Sequence, residues 1–240
     1  MIHSLWMIVF PCGSMVEAQA SGGGRLRALA HPRSCATPFP RLFHKVVPLT
    51  LILASTSPIR RQLLTEAGVE VVAIAPAVDE QAVKESHDGD AHGLALRLAE
   101  AKALSLNRPG DLIIGSDSTL SVDGRIYSKP RDRADAARHL NGFSGRTMIL
   151  SSAVALARDG VIEWSHVDRA TLTVRTLSPA FIDSYLDAEW PAVAYCVGVF
   201  RMEGRGVALF DTVEGGHFTI LGLPLLPLLG ALRERGQVAA

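Results

Sequence analysis

The chain has 240 residues, 48% of them hydrophobic, and 24 Lys plus Arg balance 24 Asp plus Glu. That is enough apolar material for one large domain or two small lobes, and the zero net charge argues against a sequence-independent electrostatic grip on DNA or RNA while leaving room for a local basic pocket. Cys12, Cys35 and Cys196 form no CxxC pair, which argues against a disulfide framework or zinc site and fits a reducing cytoplasm, and no apolar run approaches the roughly 20 residues of a membrane span.

The apolar start, Leu5 to Phe10, is stopped by Pro11 and has no Lys or Arg ahead of it, so it does not read as a signal peptide. Residues 18–44 carry Gly22-Gly23-Gly24, scattered Arg and Pro32, Pro38 and Pro40 without any period. Such a composition buries too little surface to fold. Residues 1–46 are therefore expected to be a disordered extension or the product of a start codon assigned too early, and residues 47–240 the folded domain.

From Leu49 onward strand and helix patterns alternate, the signature of an α/β fold. Residues 49–54 read as a buried strand, and Ser57-Pro58 opens a helix with Ser as N-cap and Pro at its first position; Gly68 closes it. Residues 69–75 read as a second strand. Leu94, Leu98 and Ala101 at helical spacing predict a helix over 93–106 that carries Lys102. Leu112-Ile113-Ile114 is a short buried strand that places Asp117 at its C-terminal end, where open α/β sheets bind ligands. Asp123-Gly124 predicts a type I′ hairpin between 119–122 and 125–127, with Lys129 just beyond it. Asp132 caps a helix ending near Gly142, and Asp159-Gly160 turns a longer hairpin of 148–156 with 161–174. Ser178-Pro179 starts a further helix, and 223–235 reads as a closing helix stopped by Gly236.

Ser55-Thr56-Ser57-Pro58-Ile59-Arg60-Arg61 joins a buried strand to a helix and gathers hydroxyls, unpaired amides and two guanidinium groups, each of which favours a bound anion such as a polyphosphate. An ordinary N-cap with two solvated arginines is the competing reading. Triphosphate chemistry also needs cations and carboxylates, for which Lys102, Lys129, Asp79-Glu80 and Asp117 are the candidates. Asp117 after an apolar strand is the best general base or metal ligand, against the alternative of a turn-capping Asp. Residues 87–92, His-Asp-Gly-Asp-Ala-His, suit a solvated loop better than a metal cluster. Glu203-Gly204-Arg205-Gly206 is only half of a dinucleotide fingerprint, and His139, His166 and His217 read as structural or exposed.

These residues together resemble the Maf (septum-formation-inhibitor) family of nucleotide pyrophosphatases. The likeness runs from Leu51 to Gly236: Leu53-Ala54-Ser55-Thr56-Ser57-Pro58 with Arg60, Ile114-Gly115-Ser116-Asp117, Lys129-Pro130, and Glu214-Gly215 through Leu221-Gly222-Leu223-Pro224-Leu225. The resemblance implies an inosine-triphosphatase-like mixed twisted sheet with flanking helices in two lobes around a cleft. It implies hydrolysis of a nucleoside triphosphate to the monophosphate and pyrophosphate, removal of modified or non-canonical nucleotides, and a link to arrest of cell division. By the same resemblance Asp117 would activate water, Lys102 and Lys129 would hold phosphates, and Glu80 would assist with water or metal. Ser55, Ser57, Arg60 and Arg61 would cradle the polyphosphate, and Ile59, Ser118 and Glu203 would complete the substrate contacts. Mg²⁺ or Mn²⁺ on Asp117 and Glu80, a homodimer and a cytoplasmic location, with neither nucleic-acid nor membrane partners, are implied as well.

Thr56, the Arg60-Arg61 pair and Glu203-Gly204 resemble the branch that acts on 7-methyl-GTP, and a carboxylate at 203 can accept from both the ring N1 hydrogen and the amino group of guanine. Against that branch's pattern, Ile59 stands for Trp and Ser118 for Gln, so no aromatic face is offered to a cationic base. Met148 and Gly216 also depart from common family residues. The alternative from another class is a nucleotide-sensing regulator of septation that has kept the pocket and lost turnover.

Overall fold

In this computed structural model residues 50–239 are described. The expectations about the N-terminal extension, the residues of the opening strand before Thr50, Cys12 and Cys35 lie outside them.

One mixed sheet organises these residues. In chain order the elements are β1 (Leu51–Ala54), α1 (Pro58–Glu66), β2 (Val72–Ile74), α2 (Glu80–Glu85), α3 (Ala91–Leu104), β3 (Leu112–Val122), β4 (Arg125–Tyr127), α4 (Arg133–Phe143), β5 (Thr147–Arg158), β6 (Val161–Val174) and α5 (Pro179–Glu189). Two 3₁₀ turns (Ala192–Tyr195 and Arg205–Leu209) precede β7 (Phe210–Glu214), α6 (His217–Ile220) and α7 (Leu225–Glu234). The seven strands run β2-β1-β3-β5-β6-β7, with β4 also paired to β3. The β2, β1 and β3 pairings are parallel and the rest antiparallel. The mixed α/β sheet with flanking helices is thus the class read from the sequence.

Local chemistry sets most boundaries. Asp123 and Asp159 adopt φ values of 50° and 49°, each followed by a positive-φ glycine, as a type I′ turn requires. Asp90, Asp132 and Ser178 cap their helices by accepting from Gly93, Asp135 and Phe181 N–H groups. Ser57 precedes α1 without capping it, since its side chain makes no cap bond.

One expectation about Asp117 is corrected. It does not end a strand but lies in the middle of the eleven-residue β3, because β5 supplies partners from Ile113 to Val122 and carries the strand through Gly115-Ser116-Asp117. Asp79 and Glu80 open α2, with the Asp79 carboxylate accepting from Gln81 and Ala82 N–H. The predicted second strand shrinks to β2, and β7 was not read at all.

Two large apolar clusters sit toward opposite ends of β3. One packs Leu63 and Leu64 of α1 and Leu228 and Leu232 of α7 on Leu53, Leu112 and Ile114. The other packs Leu140 and Phe143 of α4 and Ile182 and Leu186 of α5 on Leu120, Val122 and Leu172. Between them, α3 lies on the sheet through a cluster of alanines, Ala95, Ala99 and Ala103 against Ala153, Ala155 and Ala157, with Leu96, Ile162 and Val167 packed around it. Small side chains let helix and strand approach closely, and Gly115 marks the tightest point, where an added Cβ would lie 2.1 Å from the Ala99 carbonyl oxygen.

Candidate active site

The close approach of α3 decides the site. Gly115, Asp117 and Thr119 alternate onto the face of β3 that α3 covers, and Thr119 donates to the Ala91 carbonyl there at 2.6 Å. Lys102, in the last turn of α3 and 7% exposed, is thereby brought onto the carboxylate of Asp117, to which its ammonium donates. From the first residue of α2, Glu80 Oε1 joins the same ammonium at 2.8 Å. One buried lysine therefore bridges two carboxylates, and it lowers the repulsion that would otherwise keep them apart.

Burial alone would push the Glu80 carboxyl up, but the hydrogen bond and charge of Lys102, aided by Lys84 and Lys129, outweigh it, so Glu80 sits below its ordinary value and is ionised at neutral pH. Lys129, exposed in the stretch between β4 and α4, makes no hydrogen bond or ion pair among the described residues, and its charge is felt at both Glu80 and Cys196. Burial raises the Cys196 thiol to about 11, which leaves it neutral and unsuited to nucleophilic attack.

The edge of β3 opens at this point. On the side away from β5, β1 pairs with Leu112 to Gly115 and β4 with Leu120 to Val122, so Ser116 to Thr119 have no strand partner there. Arg60 enters the gap from α1. Its guanidinium donates to the Gly222 carbonyl at 2.8 Å, the Ser116 carbonyl at 3.1 Å, Ser118 Oγ at 3.0 Å and Ser55 Oγ at 3.5 Å. Burial pulls its pKa down and the charges of Asp117 and Glu80 push it back up. With four of the five guanidinium donors engaged, Arg60 ties α1, β3 and the Gly222 turn together. The exposed Arg61 is the freer cation: with Ser55, Thr56, Ser57 and Pro58 it lines a recess of ≈ 660 Å³ at the head of α1.

The other expected residues separate into two groups. Ser118 faces away from Asp117, bonded to Arg60 and to Ser152 Oγ at 2.9 Å, and Ile59 packs into the apolar cluster under α1. Ser55 is buried and accepts from the Ser57 N–H at 3.2 Å, which shapes the loop. Glu203 is exposed on the turn before the second 3₁₀ segment.

Two carboxylate oxygens are the donors this site offers a divalent ion. Asp117 and Glu80 each give one oxygen to Lys102 and have a second outside that contact, and no cluster of three or more His, Cys, Asp or Glu suited to a metal occurs among the described residues. Two carboxylates with the remaining positions left to water and phosphate oxygens is the manner in which Mg²⁺ is held, rather than an all-protein cage.

A residue missed in the sequence supports Lys129. Asp135 in the first turn of α4 is buried and accepts from the backbone N–H and Nε of Arg131, both at 3.1 Å, and from Arg138 at 2.7 Å. It thereby anchors the segment two residues after Lys129. The hydrogen bonds from Arg131 hold its carboxyl far below the usual range. A depressed folded-state pKa stabilises the fold fully above the unfolded value of about 4, and that contribution disappears as pH falls toward the folded value. Asp135→Asn is therefore expected to melt below the parent at pH 7, with the gap narrowing below about pH 4; a constant gap in melts across that range would refute the assignment.

Comparison with known proteins covers nearly all the described residues. The family profile described as "Maf-like protein" matches residues 50–235. A Rhizobium meliloti (strain 1021) protein named 7-methyl-GTP pyrophosphatase is 47% identical over 195 residues, 79% of this chain and 98% of the relative. A Nitrobacter winogradskyi protein named nucleoside triphosphate pyrophosphatase is 47% identical over 188 residues, 77% of this chain and 93% of the relative. Among solved structures, a Mycobacterium abscessus nucleoside-triphosphatase/dITP/XTP pyrophosphatase aligns with a TM-score of 0.40 and 20% identity, over 78% of this chain and 97% of that one, too distant to bear on residue roles.

Proposed function

This chain belongs to the Maf-like protein family, and we propose that it is a nucleoside triphosphate pyrophosphatase in which Asp117 activates the attacking water. The observation that carries the residue assignment is the Lys102 bridge between Asp117 and Glu80 at the open edge of β3. Water attacks the α-phosphorus, its proton passes to the Asp117 carboxylate, and the bond to the β-phosphate oxygen breaks, giving the monophosphate and pyrophosphate. Lys102 aims the Asp117 carboxylate while its third N–H is available to a phosphate oxygen. Lys129 and Arg61 neutralise the rest of the polyphosphate chain, and Arg60 fixes the strand edge against which it lies. A divalent ion held by Asp117 and Glu80 would neutralise charge building on the phosphate oxygens. A homodimer and a cytoplasmic location belong to the same reading.

For the substrate, two curated relatives at the same identity are named differently, one for 7-methyl-GTP and one for nucleoside triphosphates in general. We assign guanine-type bases on Glu203, whose carboxylate can accept from two donors on one guanine edge. Pyrophosphate release from a panel of canonical and 7-methylated triphosphates, with Mg²⁺ or Mn²⁺, tests both levels. Guanine-type substrates are expected to lead, and Glu203→Gln to lower their kcat/KM about tenfold relative to pyrimidines, the effect of one charged hydrogen bond. Binding of nucleotide without release of pyrophosphate would point instead to the sensing module.

A further inference from the structure

One buried carboxylate clamps both ends of the turn that carries Glu203. Glu189, the last residue of α5, is 6% exposed and accepts from Arg201 Nη2 at 2.9 Å and Nε at 3.2 Å, and from the Arg205 backbone N–H at 3.4 Å. Arg201 and Arg205 bracket Met202-Glu203-Gly204, and the Gly204 N–H closes the turn onto the Arg201 carbonyl at 3.1 Å. The turn has little room to move: a Cβ on Gly204 would lie 3.2 Å from Arg201 Nη2 and 3.3 Å from Glu189 Oε2, and one on Gly206 would lie 2.5 Å from the Arg201 carbonyl oxygen. Just upstream, Val199 holds a left-handed φ of 56°, a costly conformation for a β-branched residue, and its carbonyl accepts the Tyr185 hydroxyl at 2.9 Å. The segment is fixed from α5 at two points, and Glu203 is the one carboxylate in its exposed apex.

We propose that Glu189 is a positioning residue for nucleobase selection, clamping the Arg201–Arg205 turn so that Glu203 presents its acceptor oxygens in one orientation. The physical basis is preorganisation, since an exposed Glu on a loose turn must be ordered each time a base binds, and that cost offsets the hydrogen bonds gained. Hydrolysis itself, centred on Asp117, does not require the clamp. The proposal rests on the reading of Glu203 as the base-contacting residue.

The test is kcat and KM for GTP and UTP, by pyrophosphate release, in the parent, Glu189→Gln, Glu203→Gln and the double variant. Glu189→Gln is expected to lower the GTP-over-UTP ratio of kcat/KM by about threefold to tenfold through the KM for GTP, to leave kcat for UTP within about twofold, and to add nothing once Glu203 is replaced. Equal losses on both substrates, or additive effects in the double variant, would make Glu189 a structural residue only and overturn the proposal. An unchanged ratio in Glu203→Gln would instead remove the base-contact reading beneath it. If Glu189→Gln does not fold, Arg201→Lys, which keeps Glu189 partnered but loses the two-pronged contact, is read by the same ratio with the same outcomes.

Discussion

Asp117→Asn is expected to lower kcat by about a thousandfold, roughly 4 kcal/mol, inside the range for a positioned general base. The amide keeps the size of the side chain and can still accept from Lys102, so the packing of α3 on β3 persists and KM for the triphosphate changes little. The loss is confined to proton acceptance and, where a metal is bound, to one ligand charge. Pre-steady-state and steady-state pyrophosphate release, with nucleotide binding measured separately, would resolve these. A variant that retained more than about a tenth of the parent kcat would show that another group takes the proton, and Glu80, held on the same ammonium, would be the first to replace next.

The second large effect comes from a residue with no side chain. Gly115→Ala would place a methyl 2.1 Å from the Ala99 carbonyl oxygen and 2.5 Å from the Ala103 nitrogen, both backbone atoms of α3. No rotamer change relieves that, so the helix must move off the strand. Overpacking of this kind costs about 3 kcal/mol or more, a fall of about 10 °C in Tm for a domain of this size. Activity is expected to fall further than stability explains, because the displaced helix carries Lys102 away from Asp117. A thermal melt alongside kcat on the folded fraction separates the two losses. Parent-like values for both would contradict the contact between α3 and β3.

How much of this was readable in the sequence follows the range of the interactions. The hairpins at Asp123-Gly124 and Asp159-Gly160 were visible because those dipeptides alone favour the positive φ their turns need. Asp117, Lys102, Lys129 and Glu80 were visible as a set by family resemblance, and three of the four meet at one ammonium or its ion pairs. The continuity of β3 was not visible, since Gly115-Ser116-Asp117 is poor strand material; β1 reaches only Gly115, and Ser116 and Asp117 are held extended by β5, more than thirty residues later. The engagement of Arg60 was equally hidden: its carbonyl partners on Gly222 and Ser116 lie 162 and 56 residues away, whereas the local window shows only an arginine at a helix start. β7 carries exposed residues at four of its five positions, and so lacks the alternation that marks a half-buried strand.

The interrupted edge of β3 makes the sheet itself the gauge of the socket that Arg60 fills. Four residues without a strand partner, Ser116 to Thr119, measure about 13 Å at the usual strand rise. The length of that opening is set not by the arginine that occupies it but by where β1 stops and β4 begins. Extending the β3–β4 hairpin by one residue pair would cover Thr119 and shorten the socket; trimming it by one would lengthen the socket while Asp117 and Lys102 stayed in place. Hairpin length thus governs how much room one guanidinium has to tie α1 to the sheet, separately from the carboxylates and the ammonium on the other face.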